Sequence, residues 1–290
     1  MQCRISMLRG DIRMKDVLGL FPMNEYLTVF TLCILLASVR YLAMTGIYYG
    51  IVYKTLGPTL RRFKIDPQSP GDSDVHHEIK WGLINNINFG LIGAFTFWLY
   101  QKGYLKIYTD FDRYPLWHYL ALTLILLALH DAYFFWLHYL MHKTRLGKWL
   151  GHNIHHHVEN VSPWSAFSVD PREGFMEVLF RPIILILIPI HPWFFVFFEL
   201  LTFALNIIGH SGYEFFPRFF ATHASTRMKS CATFHYLHHV NGNTNFSLFL
   251  NFWDRVMGTM NPRYETFYQS VMEQRTLDLA DAAELNRSSL

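Results

Sequence analysis

The chain has 290 residues, of which 51% are hydrophobic and 17% aromatic, while 16% are charged against roughly 25% in an ordinary soluble domain. That balance argues against a soluble protein and for a membrane protein, and a formal net charge of +3 is too small to argue for nucleic acid as a partner. Three cysteines, Cys3, Cys33 and Cys231, form no C-x-x-C pair and are read as free thiols.

Residues 1–26 mix Arg4, Arg9, Arg13 and Lys15 with Leu, Ile and Met and lack the apolar core and cleavage site of a secretory signal. The segment is expected to lie on the membrane or on the protein surface. The first expected span is 27–53, whose single charge, Arg40, must be paired, snorkel or face the bundle interior. Residues 54–80 carry Pro58, Pro67, Pro70, Gly71 and a basic run at Arg61, Arg62 and Lys64, which reads as a loop with one interfacial helix. Spans two and three are 83–100 and 116–142, the latter starting after Pro115. The apolar run 178–209 is too long and too rich in proline (Pro182, Pro189, Pro192) for one straight helix across a roughly 30 Å hydrocarbon core. A hairpin turning at 189–192 fits it and returns His210 to the side the chain left. Residues 211–290 hold no apolar span and are read as a cap, with a helix or frayed tail from about Gln274.

The expected fold is therefore all-α: an integral membrane bundle of about four transmembrane helices or helical hairpins with a cytoplasmic histidine-rich cap. Basic residues in 54–80 and 143–172 put those loops, and the histidines, on the cytoplasmic side. With no repeat and no domain break, 1–290 is read as a single domain. Within it, 1–115 supplies the N-terminal region and first spans, 116–262 the histidine-box region and 263–290 the tail.

Sixteen histidines are the compositional oddity. His138 and His142 lie four apart at the end of the third span, about 40° round a helix and one turn along it, so both rings can reach a common point. His152, His155 and His156 repeat the spacing as H-x-x-H-H, and His235, His238 and His239 copy that pattern downstream. Neutral imidazole is the commonest metal ligand, and eight such residues exceed the needs of one tetrahedral zinc, so two metals are the economical explanation. Imidazole-only coordination suits iron or copper as well. Asp131, seven residues before His138, and His130 beside it are expected near the site, orienting a ligand or lining a substrate cavity. His157 points away from its helical neighbours. His191 and His223 are read as structural, and His76, His77 and His118 as surface or interfacial. Trp136, Trp164, Tyr213 and Trp253 are read as packing or interfacial aromatics.

These boxes and their flanks carry a resemblance. HDAYFFWLHYLMH (130–142), SPWSAF (162–167), GHSGYEFFP (209–217) and NFWDRVMGT (251–259) resemble bacterial members of the sterol desaturase and fatty acid hydroxylase superfamily, over roughly residues 116–262. The resemblance implies a di-iron membrane oxidase that uses O2 on a lipid substrate. It also implies an external electron donor, a ferredoxin or cytochrome b5-like carrier with its NAD(P)H reductase, and zinc can replace iron in overexpressed preparations. His138, His142, His152, His155, His156, His235, His238 and His239 are then the metal ligands, joined by His210, where members carry a further histidine. Four residues on, where the hydroxylases have a second histidine, this chain has Glu214, read as an oxygen ligand or an acceptor orienting one. Asp170 stands where relatives often have histidine before proline and is read as orienting a ligand or surface. WDRVMGT is read as structural, with Asp254 and Arg255 bonded into the cap.

Three other classes compete, one of them a haem protein with paired histidines, which visible absorption of the purified protein would expose. A membrane zinc hydrolase needs a general base beside the metal, and H-E-x-x-H is absent, Trp81 standing where the second histidine would follow His77-Glu78. A histidine-lined metal transporter predicts ionisable residues strung through the midplane, whereas most here gather at helix ends. Hydroxylation and desaturation are not distinguished by the residues.

Overall fold

The structure is a computed structural model that describes residues 24–288. The expected interfacial segment with Arg4, Arg9, Arg13, Lys15 and Cys3 lies outside the described residues. Among the described residues the architecture is helical, and paired extended backbone is confined to isolated bridges.

Helix α1 (Glu25–Tyr49) opens at Asn24, whose side chain accepts from the Tyr26 N–H and satisfies one of the first-turn donors. It continues through a π-helical turn, Gly50–Thr55. Arg40 faces inward, as an unpaired arginine at mid-span would cost roughly 2.5–3.5 kcal/mol. Its guanidinium meets Glu199 at 3.5 Å and lies over the rings of Phe89 and Phe203.

Helices α2 (Asp72–Asn85) and α3 (Ile87–Gln101) follow one another through Asn86, so the stretch read as loop up to Lys80 is helical from Asp72. The cause is an inward face that is polar. Val75, Glu78, Gly82 and Asn85, spaced three and four apart, are buried. The polar members bind other chain instead of water: Ser162 Oγ donates to Glu78 Oε2 at 2.5 Å, and Asn85 accepts from Asn88 of α3, whose Nδ2 also donates to the Pro171 carbonyl at 2.8 Å. Hydropathy alone cannot separate such a face from a loop.

Helix α4 (Leu116–Lys143) starts after Pro115 and is apolar almost all round. After α5 (Leu146–Leu150) come α6 (Pro171–Val178), α7 (Phe180–Leu187) and α8 (Pro192–Gly209). The expected hairpin is present and turns at residues 188–191, but its descending arm is α6 and α7 end to end, each of eight residues. Among the described residues, four helical stretches are long and apolar enough to cross a membrane: Glu25–Thr55, Asp72–Gln101, Leu116–Lys143 and Pro192–Gly209. Their outer faces expose Leu35, Leu36, Val39, Leu120, Leu124 and Phe197, a belt suited to lipid. The cap holds α9 (Ala232–Asn241), α10 (Phe252–Met257) and α11 (Tyr264–Ser288), packed round Phe234, Tyr264 and Tyr268.

Hydrogen bonds fix which ends lie together. The Tyr26 hydroxyl donates to Gln101 at 2.5 Å, joining the start of α1 to the end of α3. The Lys106 N–H donates to the Leu185 carbonyl and the Ile190 N–H to the Lys106 carbonyl, joining that end to the hairpin turn. At the other end the Ile65 N–H reaches the Gly212 carbonyl and the Glu214 N–H the Phe63 carbonyl. All the histidine boxes stand at this second end, opposite residue 24.

Close helix contact makes two glycines obligatory. A Cβ on Gly174 would fall on the Asn85 side chain, and one on Gly82 would fall on the buried Tyr41 ring. Gly174→Ala is expected to destabilise by about 1–3 kcal/mol, read as a lowered thermal midpoint of the detergent-solubilised protein. Gly209→Ala, whose Cβ meets nothing within 4 Å, should leave that midpoint unchanged or raise it.

Candidate metal centre

The last two turns of α4 deliver His138 and His142. Helix α5 ends at Gly151 in the left-handed region (φ +77°), where a side chain would strike Asp170. One further turn, ending in a 3-10 segment at His155–His157, carries the second box, and α9 carries the third. The hairpin returns His210 at the end of α8.

Nine imidazoles converge into two groups: His138, His142, His152, His156 and His238 in one, and His155, His210, His235 and His239 in the other, with ligand atoms inside each group within 4.8 Å of one another. Residues i and i+4 stand about 40° apart on a helix, and i+3 about 60° to the other side. The third box, on α9, uses that difference, and the second reaches a similar division from a turn in which the His156 N–H closes on the His152 carbonyl. His152 and His156 enter the first group while His155 enters the second; His235 and His239 enter the second while His238 crosses to the first. The groups adjoin, with the rings of His156 and His239 4.8 Å apart.

The donor set fits metal ions. The Nε2 atoms of His142 lie 3.2 Å from His138 and 2.8 Å from His152, those of His156 and His238 are 3.1 Å apart, and His235 stands 2.7 Å from His210 and 3.1 Å from His239. Nitrogens sharing a metal at about 2.0–2.1 Å stand roughly 3.0–3.4 Å apart, close to this spacing. Several Nδ1–H groups are already committed: His138 donates to the Phe246 carbonyl, His238 to that of Thr244, His210 to that of Asn206, and His152 to Glu173 Oε1 at 2.8 Å. That leaves the Nε2 lone pair of each of these four rings bare and directed at a neighbouring imidazole, an arrangement suited to a cation.

Burial also keeps the rings uncharged. It pushes His155, His235, His238 and His239 well below the ordinary imidazole range, with neighbouring rings adding to the effect. It lowers His152 and His210 to about 4 and His156 to about 3. Neutral imidazoles are the form that binds metal.

Both groups open on one internal cavity, to which His138, His152, His155 and His210 contribute walls. Phe89, Phe134, Phe203 and Phe249 line the rest, and Arg181, Glu199 and His130 lie along it. Its volume is about 70 Å³ as the rings stand. That is well under the roughly 300–1,000 Å³ of a small-molecule pocket, so a lipid enters only as these aromatic walls turn aside.

Other predicted residues fall elsewhere. Glu214, expected as an oxygen ligand or orienting acceptor, lies outside both groups. Its Oε2 accepts from the N–H and hydroxyl of Thr233 and its Oε1 from the Phe216 N–H, so it caps the start of α9, the helix that carries the third box. Asp131 does not reach a histidine. Its Oδ1 gathers the N–H groups of Leu248, Phe249 and Leu250, pinning the loop that supplies Phe249 to the cavity. His130 lines the cavity and stacks on Phe249. Asp170 caps α6 and pairs with Arg172. His157 stacks on His77, and His191 caps α8. Asp254 holds the Phe246 and Ser247 N–H groups, and Arg255 the Arg227 carbonyl, as structural members of the cap. Cys33 and Cys231 are free.

Glu173, the carboxylate on His152, escaped the sequence reading. Its signal was its spacing with Glu177 and Arg181, four and eight residues on, three charges on one stripe leading into an apolar run.

The first of three curated relatives is the Delta(7)-sterol 5(6)-desaturase ERG3B of Gibberella zeae, 23% identical over 62% of this chain and 55% of that protein. Methylsterol monooxygenase 1 of Rattus norvegicus is 25% identical over 70% of this chain and 68% of that one. Cholesterol 25-hydroxylase of Homo sapiens is 28% identical over 70% and 73%. The chain thus spans about half the length of the first and two thirds or more of the other two. Residues 123–259 match the family described as fatty acid hydroxylase, and no solved structure matches.

If Glu214 is a helix cap and not a ligand, Glu214→Ala costs about 1–3 kcal/mol through the unpaired Thr233 and Phe216 donors. The expected result is a lower thermal midpoint with the metal content per chain, measured by elemental analysis, unchanged.

Proposed function

We infer that this chain, which belongs to the sterol desaturase and fatty acid hydroxylase superfamily, is a membrane-bound oxidoreductase that hydroxylates or desaturates a C–H bond of a lipid, using O2 at two iron ions. The observation that carries the reading is the division of nine imidazoles into two adjoining groups at the mouth of one aromatic cavity. A zinc hydrolase has no use for so many neutral ligands, and the nearby carboxylate, Glu173, is engaged with His152. A transporter needs ionisable groups along the whole path. Beyond Arg181, Glu199 and His130 the bundle closes on Leu126, Ile184, Phe194 and Phe198.

In this reading His138, His142, His152, His156 and His238 hold one iron and His155, His210, His235 and His239 the other. When bound, the pair supplies the redox chemistry that reduces O2 with two electrons from outside. Hydroxylation then balances as RH, O2, two electrons and two protons giving ROH and water. The protein's own part is to hold His138, His152, His210 and His238 by their Nδ1 side, to keep the imidazoles neutral, and to keep bulk water from a C–H bond seated among Phe134, Phe203 and Phe249. The electrons come from a ferredoxin or cytochrome b5-like carrier and its NAD(P)H reductase. Lys143, Arg145, Lys148 and Arg172 near the boxes support a cytoplasmic mouth by the charge rule for membrane loops. The substrate is a lipid of the sterol or fatty acyl kind, and residues 1–290 act as one domain.

Protein purified with its metals retained is expected to contain about two ions per chain, as iron, or zinc in overexpressed preparations. His238→Ala and His155→Ala, one from each group, should each abolish product formation while membrane insertion persists. Turnover surviving in both variants, measured by mass spectrometry of the lipid product, would overturn the assignment.

A further inference from the structure

We propose that Arg181, Glu199 and His130 form a receptor for an uncharged hydroxyl on the lipid, seated in the cavity at the middle of the bundle. We further infer, on the premise of the oxidase reading, that the bond oxidised lies about 12–16 Å from that hydroxyl.

Arg40 and Arg181 both bind Glu199 Oε2, at 3.5 and 2.8 Å, and the guanidinium of Arg181 lies 5.0 Å from the centre of the Phe89 ring. Such charges are expensive within a span and mark function when they line a cavity. Arg40 sits behind the carboxylate; Arg181 and Glu199 line the cavity itself, with side chains 20% and 14% exposed. His130 lines it too, and its buried Nδ1 has no hydrogen-bond partner among the described residues. The pairing of Arg40 and Arg181 with one carboxylate oxygen therefore leaves donors of Arg181, the second oxygen of Glu199 and the ring nitrogen of His130 to serve the one cavity that these three residues line.

An alcohol completes this set, because one hydroxyl accepts from Arg181 and donates to Glu199 or His130. A carboxylate does not. It only accepts, so it would leave the second oxygen of Glu199 without a donor and set a further negative charge beside that carboxylate in an apolar site. The distance follows from the helices. Eight residues of α4 separate His130 from His138, about 12 Å, and eleven residues separate Glu199 from His210, about 16 Å. A lipid anchored by its hydroxyl at the floor presents a remote carbon to the imidazoles, not the carbons beside the hydroxyl.

The test uses the full-length protein in detergent and radiolabelled probes in matched sets: cholesterol with its 3-O-methyl ether, and hexadecanol with its methyl ether and with hexadecanoate. In at least one set the alcohol is expected to bind about tenfold tighter than the ether, and hexadecanoate is expected to bind no better than the ether. Glu199→Gln and His130→Phe should each shrink the alcohol preference to about twofold or less while ether affinity holds. His130→Phe retains the ring on Phe249, which guards against loss of fold in the charge variant. Alcohol and ether binding alike in both sets, no binding by any probe, tighter binding of hexadecanoate, or an undiminished preference in His130→Phe would overturn the receptor. With reductant and O2 supplied, oxygen is expected at a carbon remote from the hydroxyl, and oxidation beside it would overturn the distance. Selective alcohol binding without turnover supports the receptor and counts against the oxidase reading alone.

Discussion

Imidazole nitrogens crowd one another at 2.7–3.2 Å, out of water, and a cation between them satisfies more of their lone pairs than the few ring N–H groups can. Much of the surrounding structure holds them in that arrangement. Carbonyls of Phe246, Thr244 and Asn206 and the carboxylate of Glu173 take the far side of four rings, so those rings cannot swing away to use their nitrogens elsewhere. Each of those acceptors is itself fixed. Phe246 lies in a loop whose N–H groups bind Asp254 and whose continuation binds Asp131, and Glu173 rides on a helix capped by Asp170.

The same economy governs the bundle. Facing lipid, the long helices expose leucine, valine and phenylalanine; facing inward, they present asparagine, glutamate and arginine that clasp loops and one another. Polar groups in a membrane interior must find partners within the protein. Glu78 ties α2 to the segment between the second box and α6, and Asn88, bonded also to Asn85, ties α3 to the first residue of α6, so together they carry the position of His152 and Glu173 into the spans. The cap has its own aromatic core, which sets α9 at a fixed height above the helix ends.

Much of this was legible in the residues. Spans show as apolar runs, the hairpin as prolines in too long a run, and the boxes as spacings of three and four. Other features were hidden for physical reasons. Residues 54–80 read as a loop with one interfacial helix, and not as the start of a span, because the buried face of α2 is polar, the reverse of the pattern that hydropathy detects. The sorting of His155 and His238 away from their own boxes depends on how two separate segments are rotated toward each other, which spacing alone leaves open. Glu214 and Asp131 are acids near histidines in sequence, yet backbone N–H groups from residues 216, 233 and 248–250 reach them first. A competing donor supplied by distant chain leaves no trace in the local pattern. Glu173 was missed for the converse reason, since its partner lies twenty-one residues upstream across a loop.

The exchange of one histidine between the second and third boxes has an effect on assembly. Because each of these segments touches both groups, an ion arriving in either one draws together chain separated by about eighty residues and thereby sets most of the neighbouring cradle in order. On the two-ion reading, filling is then cooperative and half-loaded molecules are scarce.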